Sequence, residues 1–158
     1  MGDGLFVKFM PSRALAMYTT IEDVNSLVQA FADHTLPRSQ WTHQAHLTVA
    51  LWYFIHYSPA DATNQIRKGI QQYNAAHGIP TTPTGGYHET LTLFWCRLVQ
   101  QFLADQQAAS LTLETVNALI QRCCDPKLPF VYYSRDRLLS LEARITWVEP
   151  DLQPLPKS

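Results

Sequence analysis

Charge is scarce in this chain, and what there is cancels. Asp, Glu, Lys and Arg make up 16% of its 158 residues and sum to a formal net charge of -1. Nucleic-acid binding calls for a basic face or stripe, and a balance this near neutral supplies none. Only Arg135, Arg137 and Arg144 cluster, and loosely. Long apolar runs are also missing. No stretch reaches the roughly 18 apolar residues of a membrane span, and Met1 to Met17 lacks the long apolar segment of a secretion signal. Phe6 stands where a myristoylation signal needs Ser or Thr. Cysteine is rare: Cys96, Cys123 and Cys124 are an odd number, with an adjacent pair and no Cys-x-x-Cys. That is a poor disulfide framework and no thiolate zinc site, and it favours a reducing compartment. Together these absences predict a soluble, cytoplasmic protein with no membrane and no nucleic-acid partner. They leave the oligomeric state open.

The apolar share is 46%, which with so little charge marks a folded globular chain. The length suits one domain with a real core. Residues 1–16 read as an N-terminal appendage whose Leu5, Phe6, Val7, Phe9 and Met10 could lie along an apolar groove. Residues 17–158 read as the helical domain.

Helical spacing and capping signals divide that domain. A first helix begins near Thr19 or Thr20, where Thr19 and Glu22 have capping-box spacing, and carries Ile21, Val24, Leu27, Val28 and Phe31 inward. A second runs from about Thr42 to Tyr57. It is apolar almost all round from Leu47 to Ile55, which predicts a central, buried helix. A third runs from about Ala60 to His77, with Ser58 or Asp61 as cap and Gly78 and Pro80 as stop signals. The stretch Ile79 to Gly86 is rich in Pro, Gly and Thr and must be a loop. A fourth helix, about Tyr87 to Asp105, places His88, Leu91, Trp95, Leu98 and Phe102 on one face. A fifth, about Leu113 to Cys124, has Thr112 as cap. Asp125 to Phe130 reads as a turn, and a short helix capped by Ser134 spans about Arg135 to Ala143. From Trp147 the prolines predict an extended tail. With no repeat and no hairpin signal, the expected fold is an all-α, single-domain helical bundle of about five main helices.

Groups capable of chemistry concentrate in two segments, Trp41 to Leu47 and Gly85 to Thr90. His43 and His46, three residues apart on a helix, are neighbours that can chelate one ion. His88 begins the inward stripe of another helix and can supply a third imidazole. Three protein ligands plus water make an open, catalytic type of site, suited to zinc, nickel, iron or manganese. Glu89 would then be a fourth ligand, a partner fixing a histidine tautomer, or the catalytic base acting on the metal-bound water. Tyr87 and His77 flank the same loop and are candidates for substrate binding. Tyr133 and Arg135, beside Ser134, could hold an anionic substrate, although helix capping by Ser134 also accounts for that segment. The helix N-termini pull the other way. Their partial positive charge disfavours a cation, and Gly85-Gly86 before a helix suits an anion.

The pairing of Trp41-Thr42-His43-x-x-His46-Leu47 with Tyr87-His88-Glu89-Thr90-x-Thr92-x-x-Trp95 resembles a group of small bacterial all-helical proteins. In these an aromatic-x-His-x-x-His-Leu segment precedes a Tyr-His-x-Thr-x-Thr segment. The resemblance spans helices two to four. It implies that the two segments work as one unit, and it carries no reaction with it. Better-known metal helices differ: the chain has no repeated Glu-x-x-His pair, no His-Glu-x-x-His and no His-Asp pair. Three readings therefore stand. One is a divalent-metal protein using His43, His46 and His88, acting as a hydrolase or lyase on a small molecule. The second is a metal-free binding module for a small carboxylate or phosphate. The third is a structural or interaction protein with core histidines.

Overall fold

A helix that is apolar on every side must be surrounded, and the rest of the chain is arranged to surround one. The computed structural model describes residues 17–157; residues 1–16 and 158, and with them the expected N-terminal appendage, lie outside the described residues. The central element is α2 (His43–His56), where Leu47, Val49 and Leu51 are almost wholly buried. Around it pack α1 (Ile21–Ala32), α3 (Pro59–Ala76), α4 (Glu89–Gln106) and α5 (Leu113–Arg122). Three short helices follow: α6 (Pro129–Tyr132), α7 (Arg135–Leu138) and α8 (Leu141–Ile145). A 3-10 turn at Arg38–Gln40 leads into α2. The fold is all-α. Among the described residues the nearest approach to a sheet is one isolated bridge between Thr82 and Gly85, and no helix is long and apolar enough to cross a membrane.

Side-chain caps set the helix starts. The hydroxyls of Thr42, Ser58 and Thr112 accept from the backbone N–H groups of Ala45, Asp61 and Thr115, each satisfying a donor that the first turn leaves unpaired. At α1 the cap is Thr20, bonded to Asp23 N, rather than the Thr19–Glu22 box. Thr19 instead donates to the Asp23 carboxylate.

Three apolar clusters fill the interior. The largest joins α2 to α4 and α5 through Leu47, Leu51, Val99, Phe102, Leu119 and Ile120. A second gathers Val28, Phe31, Leu36, Val49 and Tyr73. The third packs Phe94 of α4 against Tyr133, Leu138, Ala143 and Val148. The C-terminal region differs from the sequence expectation. Pro129 begins α6 within the expected turn, and the single expected helix over 135–143 is two, α7 and α8. Ser140 makes the break: its hydroxyl donates to Arg137 O at 2.7 Å and accepts from Ala143 N at 3.1 Å, so it closes one helix and caps the next. Beyond α8 the chain is held by side chains. Ser134 bonds Asp151 through its backbone N–H and its hydroxyl, and the Arg137 guanidinium donates to Glu149 O.

Candidate functional site

The helices α2, α3 and α4 do not close on one another completely. Between them lies a cavity of about 490 Å³. Val49, Ala50, Ile66 and Cys96 form part of its wall and are almost inaccessible. Ile70, Ile79 and Leu91 add aliphatic surface, and Trp41, Tyr87 and Trp95 add aromatic surface. Among the described residues no Asp, Glu, Lys or Arg lines it. Its polar members are His43, His46, His88, Asn74 and Thr92. Cavities of this size and character suit small molecules.

The two α2 histidines are fixed by backbone carbonyls. His43 donates from Nε2 to Cys123 O at 2.8 Å, and its ring meets Trp95 edge to face. His46 donates from Nδ1 to Thr42 O at 2.7 Å, and its ring stacks on Trp41 at 3.7 Å. A carbonyl can only accept, so each bond decides the tautomer: in the neutral rings Nδ1 of His43 and Nε2 of His46 are the acceptors. Burial pulls the His46 pKa down to about 4, against the raising effect of the Thr42 carbonyl. At neutral pH that ring is an uncharged acceptor.

His88 is built differently. It is the N-cap of α4, and it lines the cavity with Leu91 and Trp95 of the same stripe. Nδ1 accepts from Leu91 N at 3.2 Å, and Nε2 donates to Leu138 O at 2.9 Å. Both ring nitrogens are engaged, so the side chain reaches the cavity wall without a lone pair to offer a metal. Desolvation is the main cause of its lowered pKa. No group of three or more His, Cys, Asp or Glu side chains among the described residues is arranged to hold a metal ion.

Glu89 is buried and clamped. Arg67 pairs with both carboxylate oxygens, and the Tyr87 hydroxyl donates to Oε2 at 2.5 Å. Burial, then this bond to Glu89, raises the Tyr87 pKa. The carboxylate lines a separate surface cleft with Arg67 and Lys68, not the cavity, so it is a joint between α3 and α4 rather than a base facing the histidines. Tyr87 lines the cavity. His77 does not: it stacks on Tyr73 and donates to His34 O at 3.0 Å. Tyr133 is wholly buried in the third cluster, its hydroxyl on Val148 O at 2.9 Å. Arg135 is exposed, above the Phe130 ring. The structure brings neither to the cavity.

Two residues that matter here carry no motif. Arg144 of α8 is 8% exposed and has no carboxylate partner among the described ion pairs. Its guanidinium donates to Pro83 O, Gly86 O and Tyr87 O at 3.1–3.2 Å, and so pins the loop before α4. Asn74 is 9% exposed and lines the cavity. Its sequence signal is a polar side chain on the inward row Ile66–Ile70–Asn74, at i, i+4 spacing.

Comparison of the chain with family models, with curated proteins and with solved structures finds no match in any of the three.

Proposed function

We propose that the protein is a metal-free binding module for a small, uncharged, largely apolar molecule, held in the cavity between α2, α3 and α4. One observation carries this reading: a cavity of about 490 Å³ that no charged side chain among the described residues lines. Transfer of a carboxylate or phosphate into such a wall would be uncompensated, which turns the expected anionic ligand into a neutral one. The neutral His46 ring supports the same choice, since it offers an acceptor and no positive charge. Free cysteines at 96, 123 and 124 suit a cytoplasmic setting. The test is a set of titrations followed by tryptophan fluorescence, because Trp41 and Trp95 line the cavity. Indole and quinoline should bind saturably, one per chain, and benzoate and inorganic phosphate should not. Tighter binding of the anions, or no saturable binding of the neutral rings, would sink the proposal.

A second reading keeps the metal, on a different observation. Metal-bound histidines typically donate their other ring N–H to a carbonyl or carboxylate, and His43 and His46 both do so. Their remaining nitrogens would hold zinc, nickel, iron or manganese, with water or the bound molecule completing the shell. Such an ion would serve a hydrolase or lyase as a Lewis acid. Metal content of untagged protein, measured beside His43→Ala and His46→Ala, decides it. Near-stoichiometric metal lost in both variants supports this reading, and no uptake of any of the four ions removes it.

A further inference from the structure

Asn74 stands apart from every other buried polar side chain near the cavity. His88 and Thr92 are bonded to the backbone, Glu89 to Arg67 and Tyr87, and His43 and His46 to carbonyls. The backbone carbonyl of Asn74 accepts from Ile79 N at 2.8 Å. Its side-chain amide has no partner among the described residues, although the residue is nine-tenths buried. Nor is that amide sealed away, since among the described residues no fully inaccessible side-chain nitrogen or oxygen lacks a partner. Asn74, Ile79 and Tyr87 also border a second groove, with Pro80 and Thr81, so Asn74 stands where the cavity and that groove meet.

A carboxamide that no protein group engages, and that water can reach, is free to pair with a ligand. It is also a recognition device of defined shape. Its oxygen and its NH₂ lie side by side, and the matching partner carries an adjacent donor and acceptor in one plane, as when Asn reads an adenine edge. The aromatic side chains of Trp41, Tyr87 and Trp95 in the wall suit a flat ring behind that edge. His43 and His46 line the same wall, and each neutral ring keeps one acceptor nitrogen beyond its carbonyl bond.

From these contacts we infer that Asn74 is the specificity-determining residue of the cavity, and that the ligand is an uncharged planar heteroaromatic with a lactam- or amidine-like edge that pairs with the Asn74 carboxamide. This inference rests on the binding function proposed above and deepens it by naming the ligand class.

The test uses three bicyclic probes of nearly equal size: quinoline, with an acceptor only; indole, with a donor only; and 2-quinolone, with donor and acceptor adjacent. Each is titrated into the full chain, wild type beside Asn74→Leu and Asn74→Ser, with melting temperature as the control for folding. In the wild type 2-quinolone should bind about tenfold more tightly than quinoline, as expected where a polar edge meets a built partner. In both variants the preference should shrink toward unity while quinoline keeps its affinity. Asn74→Ser removes the paired edge with little change of packing, so it remains informative if the leucine variant does not fold. If all three probes bind the wild type equally, or if the variants keep the preference, the role of Asn74 is overturned and the binding cavity stands. If none of the probes binds the wild type, the cavity proposal falls and this inference with it.

Discussion

His88 uses both ring nitrogens on backbone partners, so substituting it tests a structural role directly. His88→Ala removes the acceptor for Leu91 N and the donor to Leu138 O, and should destabilise the fold by about 1–3 kcal/mol in urea unfolding. His88→Asn can cap α4 but cannot reach Leu138, and should recover part of the loss. Equal stability of wild type and His88→Ala would remove the cap and the strut together. Acidity probes the buried imidazoles as a set. The pKa of His46 is about 4, and that of His88 is lowered from the same ordinary value of 6.5. Below 6.5 the unfolded chain therefore binds protons that the folded chain refuses, so stability rises with pH in that window. The contribution is whole above about 6.5 and is lost as pH falls toward 4. Thermal melts between pH 7.5 and 4.5 should show a falling midpoint, with a shallower fall in His46→Gln; the same fall in both proteins would acquit His46. At this scale the sequence was legible in part. It marked which histidines crowd one region, because spacing on a helix decides neighbours. It did not mark which nitrogen faces what, because the carbonyls of Cys123 and Leu138 arrive from distant elements and their side chains announce nothing.

The loop between α3 and α4 is an element with its own logic. It must cross the top of the cavity and deliver Tyr87 to its wall, and two contacts hold it there. One is the Arg144 guanidinium on three of its carbonyls. The other is the close approach of Gly86 to its own loop: Gly86 has φ +79, and an added Cβ would strike Pro80 O and lie 2.8 Å from Thr81 Cα. Gly78 offers the control. Its φ is +64, but an added Cβ meets nothing within 4 Å. Gly78→Ala should cost about 1 kcal/mol of conformational strain alone. Gly86→Ala should cost more in thermal unfolding, and should also weaken ligand binding, because relieving the clash moves Tyr87. Comparable losses in the two variants, with binding intact, would show that the loop is not held by close packing. The caps of α2, α3 and α5 and the stop at Gly78 could be read directly, because each depends on residues adjacent in sequence. The split between α7 and α8 could not. It needs Ser140 to cap rather than continue a helix, a choice settled where α8 docks on α4. The role of Arg144 was hidden for the same reason: in sequence it is one of a loose cluster of arginines, and only the fold sets it against the loop more than fifty residues away.

For the molecule as a whole, the question is why a chain so rich in apolar side chains leaves a cavity between α2, α3 and α4. Interiors normally pack to near-crystalline density, and a void between helices costs the contacts its lining forgoes. A small change would narrow the gap. Ala50 lies on α2 at the cavity wall, 4% exposed, so a larger apolar residue there tests whether the open volume can be filled. If the cavity is only loose packing, filling it improves the protein and alters nothing else. If it is a binding site, the same filling removes the function while improving the fold, the trade-off expected when stability is given up for activity. Ala50→Leu should therefore hold or raise the melting temperature and abolish saturable binding of neutral aromatic probes. A variant that is stabilised and still binds would place the ligand elsewhere. A variant that is strongly destabilised would show that the space at Ala50 is already occupied by its neighbours. The outcome bears on the histidines too, because a stable, filled protein retains the His43 bond to Cys123 O and the His46 bond to Thr42 O. Loss of binding with those bonds in place would assign recognition to the cavity, and leave the imidazoles as part of its wall rather than an independent site.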